Sequence, residues 1–362
     1  MGTEFSLVNY LNEGVESIVK GAMKASFQNP KEAKFIMKYI LESKKAAKKR
    51  KTFEEKGQHI PPFLISSITS SCNLFCKGCY ARANNTCGKK SNKDQMTSDQ
   101  WEDIFKQGKE LGISFILLAG GEPLMRKDVI EKASQIKEII FPIFTNGTIL
   151  DEEYIKLFDA NRNLVPVISI EGDENKTDAR RGKGTYELLI NKIDSLKSKG
   201  ILYGTSITVT TENIYNVASK EFIAELYNRG CKLVIFVEYV PVVASTKDLA
   251  PTDKERNYLE SEQARLREIY EDMIFISFPG DEKHSGGCLA AGRGFFHINT
   301  SGGVEPCPFS PFSDTSLKNS SLLDALQSPL FKKLSAEEML LGEHKGGCVL
   351  FEKEEEVKKL LI

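Results

Sequence analysis

The chain has 362 residues, 49 Lys and Arg against 50 Asp and Glu, a formal net charge of −1 and 41% hydrophobic residues. That length suits about two domains or one barrel-sized domain with extensions, and a charge so near neutral excludes a generic polyanion binder, which needs a surplus of clustered Lys and Arg. No apolar run reaches the roughly 18–20 residues of a membrane span, and the opening stretch lacks the basic-then-apolar layout of a secretory signal, so a cytoplasmic protein with neither membrane nor nucleic acid as partner is expected.

In chain order, Leu7, Leu11, Val15, Ile18 and Val19 recur at helical spacing, as do Phe35, Ile36, Tyr39 and Ile40 beyond Pro30. Residues 1–58 therefore read as an N-terminal helical segment. Six short β-branched or aromatic runs follow, at Phe63–Thr69, Phe115–Ala119, Ile140–Thr145, Val165–Ile170, Tyr203–Val209 and Leu233–Val240, each of strand length. Helical stretches separate them at Thr97–Leu111, Lys127–Glu138, Asp151–Ala160, Thr185–Ser198 and Val217–Asn228, with another at Asp253–Asp272. Thr97 with Gln100 is a capping-box start, and Gly112, Gly200 and Gly230 stand where helix-ending glycines belong. Regular β/α alternation predicts an α/β fold with a parallel sheet, doubly wound or curled into a barrel. After about residue 275 helical patterning fades, and Gly294–Asn299 with Val304–Cys307 reads as a hairpin in a small appended domain.

The eight cysteines are too few for a disulfide scaffold in so long a chain, and clustered thiols in a reducing compartment signal metal or catalysis. Cys72, Cys76 and Cys79 are spaced C-x3-C-x2-C immediately after the first strand. Such a loop can converge its thiolates on one cuboidal Fe–S cluster, leaving one iron open for substrate or cofactor. The competing readings are a zinc site with an unrecognised ligand and three unrelated buried cysteines.

These residues resemble the radical S-adenosylmethionine (SAM) superfamily, over about residues 60–240. Gly120-Gly121-Glu122-Pro123 is similar to the family's GGEP motif, which meets the SAM amino group. Asn146 lies in a Thr145-Asn146-Gly147 turn like the family's TNG. Ser169-Ile170-Glu171-Gly172 resembles the motif whose Ser lies near the ribose, and Arg181, preferred to Arg180, falls in a segment like the one that offers an Arg to the SAM carboxylate. Ser206, Thr208 and Asn213 fall where the family lines the nucleoside pocket. One departure is Gly78, where many members carry an aromatic residue before the third Cys.

The resemblance implies a partial (β/α)6, TIM-like barrel over residues 59–275, with N-terminal helices before it and a small Cys-containing C-terminal domain, residues 276–362, after it. It implies that a [4Fe–4S] cluster on Cys72, Cys76 and Cys79 cleaves SAM reductively to a 5′-deoxyadenosyl radical, which abstracts hydrogen from a substrate. Electrons would come from a donor such as ferredoxin or flavodoxin. Cys288 and Cys307 resemble the start of the SPASM and twitch extensions, and with Cys348 they imply an auxiliary Fe–S cluster, although the remaining cysteines of a full SPASM pattern are absent. Its fourth ligand is open, with His284, His297 and His344 conceivable; Cys87 and Cys231 are poor choices by position, and Cys231 reads as core. No hydrogen-transfer residue can be named. The preferred substrate is a peptide or protein undergoing oxidation or cross-linking. The alternatives are a small molecule, in dehydrogenation or cofactor biosynthesis, and a non-catalytic Fe–S or zinc scaffold or electron relay.

Overall fold

The structure is a computed structural model that describes residues 6–27, 29–88, 94–336, 340–341 and 347–361. Two helices lead, α1 (Leu7–Ser26) and α2 (Pro30–Glu54). The Asn29 side chain accepts from the Lys31 amide at 3.0 Å to cap α2, and Pro30 takes the first helical position, where a missing N–H costs nothing.

Strand and helix then alternate. β1 (Phe63–Thr69) is followed by the single turn α3 (Tyr80–Ala83) and by α4 (Ser98–Leu111), then β2 (Phe115–Gly120), α5 (Lys127–Ser134), β3 (Phe141–Thr145), α6 (Glu152–Ala160) and β4 (Leu164–Ser169). Beyond it lie α7 (Glu174–Arg181), α8 (Thr185–Ser198), β5 (Gly204–Val209), α9 (Ile214–Val217), α10 (Lys220–Asn228), β6 (Leu233–Glu238), α11 (Asp253–Ile269) and β7 (Ile274–Phe278). The chain closes with the pair β8 (His297–Ile298) and β9 (Val304–Glu305) and with α12 (Leu322–Leu326), α13 (Pro329–Ala336), α14 (Val349–Glu352) and α15 (Glu354–Leu360).

One nine-stranded sheet runs in the order β7-β6-β5-β4-β3-β2-β1-β8-β9, parallel throughout except between β8 and β9. This is the α/β partial barrel expected, with two differences. A seventh strand, β7, adds to the six and straddles residue 275. The C-terminal hairpin joins the barrel's own sheet, β8 pairing with β1 through Ile65 and His297, so it extends that sheet. The Lys127–Glu138 stretch ends as helix at Ser134, and Val217–Asn228 divides because Ser219 caps α10, accepting from the Phe222 amide at 3.2 Å. The capping box at Thr97 and the left-handed Gly112, Gly200 and Gly230 are present.

Trp101 and Phe105 of α4 are fully buried, with Phe105 edge-on to Phe141 of β3 at 5.1 Å between ring centroids. Burying each such side chain contributes roughly 1.5–3 kcal/mol before entropy is counted. A second cluster joins Val15, Val19 and Tyr39 of the leading helices to Phe115, Ile140 and Val165. Those three residues stand within one residue of the starts of β2, β3 and β4, so α1 and α2 close the N-terminal end of the barrel. The C-terminal strand ends are left for chemistry, as in barrel enzymes generally.

Candidate active site

β1 delivers the cysteine loop to that end. The loop is tied by an isolated bridge between Ser71 and Gly88, with the Cys72 amide donating to the Gly88 carbonyl at 3.0 Å. The bridge brings Cys87 against Cys72, and a hydrogen bond from the Cys87 thiol lowers the Cys72 thiol to about 6. Burial pushes Cys76 up, although Arg181 Nη1 lies 3.9 Å from its sulfur. Cys79 heads α3, its amide donating to the Cys76 carbonyl at 3.3 Å. Cys72, Cys76 and Cys79 are each half-buried and within electrostatic reach of one another. Among the described residues no three of His, Cys, Asp and Glu converge tightly enough to hold a single ion; a cuboidal cluster, whose thiolates sit on different irons, takes its ligands farther apart. Gly78 is left-handed (φ 69°), and a Cβ there would lie 2.7 Å from the Tyr239 hydroxyl. The aromatic residue absent from position 78 therefore has a steric counterpart, because Tyr239 at the end of β6 fills that space.

Gly120 and Gly121 are set by the backbone that packs against them. A Cβ on Gly120 would lie 2.3 Å from the Thr69 carbonyl, and one on Gly121 2.1 Å from that of Ser71. The close approach is to the backbone of β1 and its loop, sealed by amide bonds of 2.7 Å from Gly121 to Thr69 and from Glu122 to Ser71. Pro123 begins a short 3-10 turn. The fully buried Glu122 carboxylate accepts from Thr145 Oγ1 (2.6 Å) and from the amides of Asn146 (2.7 Å) and Leu124 (3.0 Å). It is a strut between the ends of β2 and β3. Asn146 continues the brace, its Nδ2 donating to Asn73 at 2.9 Å and lying 4.0 Å from the Cys72 sulfur.

Ser169 and Ser206 are register partners at the ends of β4 and β5. Beside them Glu171, fully buried, meets Arg181 Nη2 at 2.5 Å and Arg180 Nε at 3.1 Å, and accepts the Thr208 amide at 2.9 Å. Asn213 is engaged inside the protein, donating to the Glu171 and Thr208 carbonyls. The buried Nε of Arg181 has no hydrogen-bond partner among the described residues, whereas that of Arg180 is held by its ion pair with Glu171. An idle guanidinium donor on Arg181, the residue beside Cys76, suits an anionic ligand, and this is the observation on which the site fits the carboxylate of SAM.

The second trio also comes together. Cys288, Cys307 and Cys348 line one enclosed pocket with Glu282 and the aromatic rings of Phe278, Phe295 and Phe309. Burial drives Cys288 and Cys307 well up, whereas a hydrogen bond from Cys307 lowers Cys348. Gly287 is left-handed and a Cβ there would lie 2.0 Å from the Leu340 carbonyl. Tyr80, next to Cys79, packs on Phe309 at 4.9 Å between centroids and joins the two cysteine regions. His297 is spent elsewhere, held between Ser67 Oγ (2.8 Å) and Glu305 (2.7 Å). The side chain of His284 and all of His344 lie outside the described residues.

Three residues escaped the sequence reading. Cys87 stands eight residues past the motif, and only the Ser71–Gly88 bridge folds it back. Glu171 was read as part of a ribose motif, yet it organises both arginines. Glu282 lies in an acidic surface-like stretch that gives no sign of its burial. Cys231, by contrast, is the fully buried core residue expected.

A parallel barrel with a cysteine loop, arginines and a glycine-rich turn at its C-terminal end defines a cofactor-dependent α/β-barrel enzyme. Residues 66–217 match the model of the Radical SAM superfamily. Over that stretch the chain is like the radical SAM superfamily, whose members are enzymes that use a [4Fe–4S] cluster and SAM. It is 29% identical to a Fe-coproporphyrin III synthase of Methanosarcina barkeri over 43% of this chain, a match that spans only 39% of that relative. To an AdoMet-dependent heme synthase of Nitratidesulfovibrio vulgaris it is 25% identical, over 81% of this chain and 89% of the relative. To the mycofactocin maturase MftC of Mycolicibacterium smegmatis it is 23% identical, over 71% and 66%. Among solved structures, Streptococcus suis SuiB bound to the precursor peptide SuiA superposes with a TM-score of 0.67 at 16% identity, covering 88% of this chain and 76% of that one, a likeness of fold.

Proposed function

We propose that Cys72, Cys76 and Cys79 hold the [4Fe–4S] cluster and that the chain oxidises or cross-links a peptide or protein substrate. When bound and reduced, the cluster supplies the electron that cleaves SAM to methionine and the 5′-deoxyadenosyl radical, which takes hydrogen from the substrate. The protein's own part is positional. Arg181 offers its unpaired Nε to the SAM carboxylate, while Arg180 stays on Glu171. The backbone of Gly120, Gly121, Glu122 and Pro123 borders the amino group, while Asn146, Ser169, Ser206 and Thr208 border the nucleoside. Glu122 acts through the Asn146 turn, since its carboxylate is already satisfied.

One observation carries the substrate class. A cleft of about 380 Å3 opens beside Cys87 and Gly88, lined by Ser67, Thr69, Asn299, His297 and Glu305, and no Lys or Arg is among its described lining residues. Such a wall suits the neutral hydrogen-bonding groups of a peptide and, among its described residues, offers no Lys or Arg to the carboxylates of a tetrapyrrole. A small-molecule substrate remains the second reading because the heme synthase matches over 89% of its own length. Cys288, Cys307 and Cys348 are proposed to hold an auxiliary Fe–S cluster. The enzyme is placed in the cytosol, with ferredoxin or flavodoxin as donor.

The test is anaerobic reconstitution followed by dithionite and SAM. Formation of 5′-deoxyadenosine is expected, with its loss when Cys72, Cys76 and Cys79 are replaced by Ala. Replacing the second trio should spare SAM cleavage and remove about half of the iron. A colourless zinc protein that forms no 5′-deoxyadenosine would overturn the assignment.

A further inference from the structure

Glu282 sits in the short 3-10 turn Gly280–His284 that follows β7, and it is 3% exposed. One carboxylate oxygen, Oε2, accepts weakly from the Leu289 amide at 3.4 Å. The other, Oε1, is buried with no hydrogen-bond partner among the described residues. The cation nearby, Arg293, is turned to main-chain oxygens, those of Cys288, Leu340 and Gly286. Burying a carboxylate oxygen without a donor costs a protein dearly, and such an orphan calls for an explanation. Its surroundings offer one, since Glu282 lines the same pocket as Cys288, Cys307 and Cys348.

We infer that Glu282 is the fourth protein ligand of the auxiliary cluster. The inference rests on the reading that the second trio holds such a cluster. Three thiolates and one carboxylate make the four ligands that a cuboidal cluster requires, each giving up its proton on ligation. The ligand arrives six residues before Cys288, ahead of the cysteine pattern, because β7 ends at Phe278 and the 3-10 turn folds the chain back over the pocket. A cluster closed in this way has no iron free for substrate. It serves electron transfer, and Tyr80, next to Cys79 and packed at a tilt on Phe309 of the pocket wall, joins it to the first cysteine loop. A carboxylate donates less electron density than a thiolate, so this cluster should sit at a higher potential than an all-cysteine one.

The test uses the full chain carrying Cys72, Cys76 and Cys79 replaced by Ala, reconstituted anaerobically so that only the second cluster contributes to the EPR signal. With Glu282 in place the reduced signal should not respond to cyanide, a probe for an open iron. Glu282→Ala should make it cyanide-sensitive, and mild oxidation should then remove about one iron in four and leave a three-iron signal. Glu282→Cys should restore insensitivity with the midpoint potential shifted negative, which also shows that the pocket folds without the glutamate. A cyanide response with Glu282 present equal to that of Glu282→Ala would overturn the inference while leaving the cluster standing. Iron that is absent from this background, or that survives replacement of Cys288, Cys307 and Cys348, would overturn the reading of the second trio itself.

Discussion

Glu122 shows what a single buried carboxyl does to this protein. Burial pushes it up to about 7 from an ordinary 4.5, against the pull of the three donors from Thr145, Asn146 and Leu124. A carboxyl raised in the folded state binds more protons there than in the unfolded chain, so the stability it contributes is whole below pH 4.5 and is lost as pH rises through about 7. The size is roughly 3 kcal/mol at most, by the usual conversion of pKa shift to free energy. Glu122→Gln keeps an acceptor and cannot ionise. Its melting temperature relative to the parent is expected to climb between pH 4.5 and 7 and then level off; a difference independent of pH would refute the burial argument. Gly121 is the second case at this scale. Its absent Cβ makes room for the Ser71 carbonyl at 2.1 Å, so Gly121→Ala should displace the loop at Cys72, cost about 1–3 kcal/mol and lower the iron held by the first trio. Iron analysis and denaturant unfolding of one preparation check both parts.

Among the elements, the leading helices were the easiest to read and are the most firmly docked. Tyr39 donates to the Ser114 carbonyl at 2.6 Å, and Arg50 binds the Gly112 carbonyl, Ser114 Oγ and Asn12 together. Farther along the same face, Glu32 of α2 pairs with Arg162 at 2.5 Å, both sides of the pair nearly inaccessible. Glu32→Ala leaves Arg162 with Asp159 as its remaining carboxylate and the Leu202 amide without its acceptor, so it should cost about 1–3 kcal/mol in urea unfolding; a loss well below about 1 kcal/mol would mean that water replaces the lost partner. Two elements were illegible for identifiable reasons. α7, Glu174–Arg181, has no apolar period, and it is held by the Asp173 cap and by the pull of Glu171 on its two arginines. β7 is a five-residue run whose identity as a strand depends on pairing with β6, from Leu233 opposite Ile274 to Val237 opposite Phe278.

For the molecule as a whole, the C-terminal stretch is fastened to the barrel at several points, so the second cysteine site depends on the first fold. β8 and β9 lengthen the sheet beyond β1. Toward the opposite edge, one strand in from β7, Glu238 at the end of β6 accepts the Gly347 amide at 3.1 Å and pairs with Arg256 at 2.6 Å. Cys348 is the next residue along the chain. Glu238→Ala should therefore loosen Cys348 and lower the iron bound by the second trio, while 5′-deoxyadenosine formation at the first site persists. Equal loss at both sites would show instead that Glu238 supports the barrel.

The sequence by itself determined the strand and helix alternation, the cysteine loop after β1 and the motifs at the strand ends, because periodicity, capping and spacing are local properties written within a few residues. Only the tertiary structure decided that Cys87 folds back onto Cys72, that Glu171 gathers Arg180 and Arg181, that the hairpin belongs to the barrel's sheet and that Glu282 turns inward among three cysteines. Each of these joins residues through backbone pairing or burial, and burial is a property of the assembled fold that no local pattern of residues records.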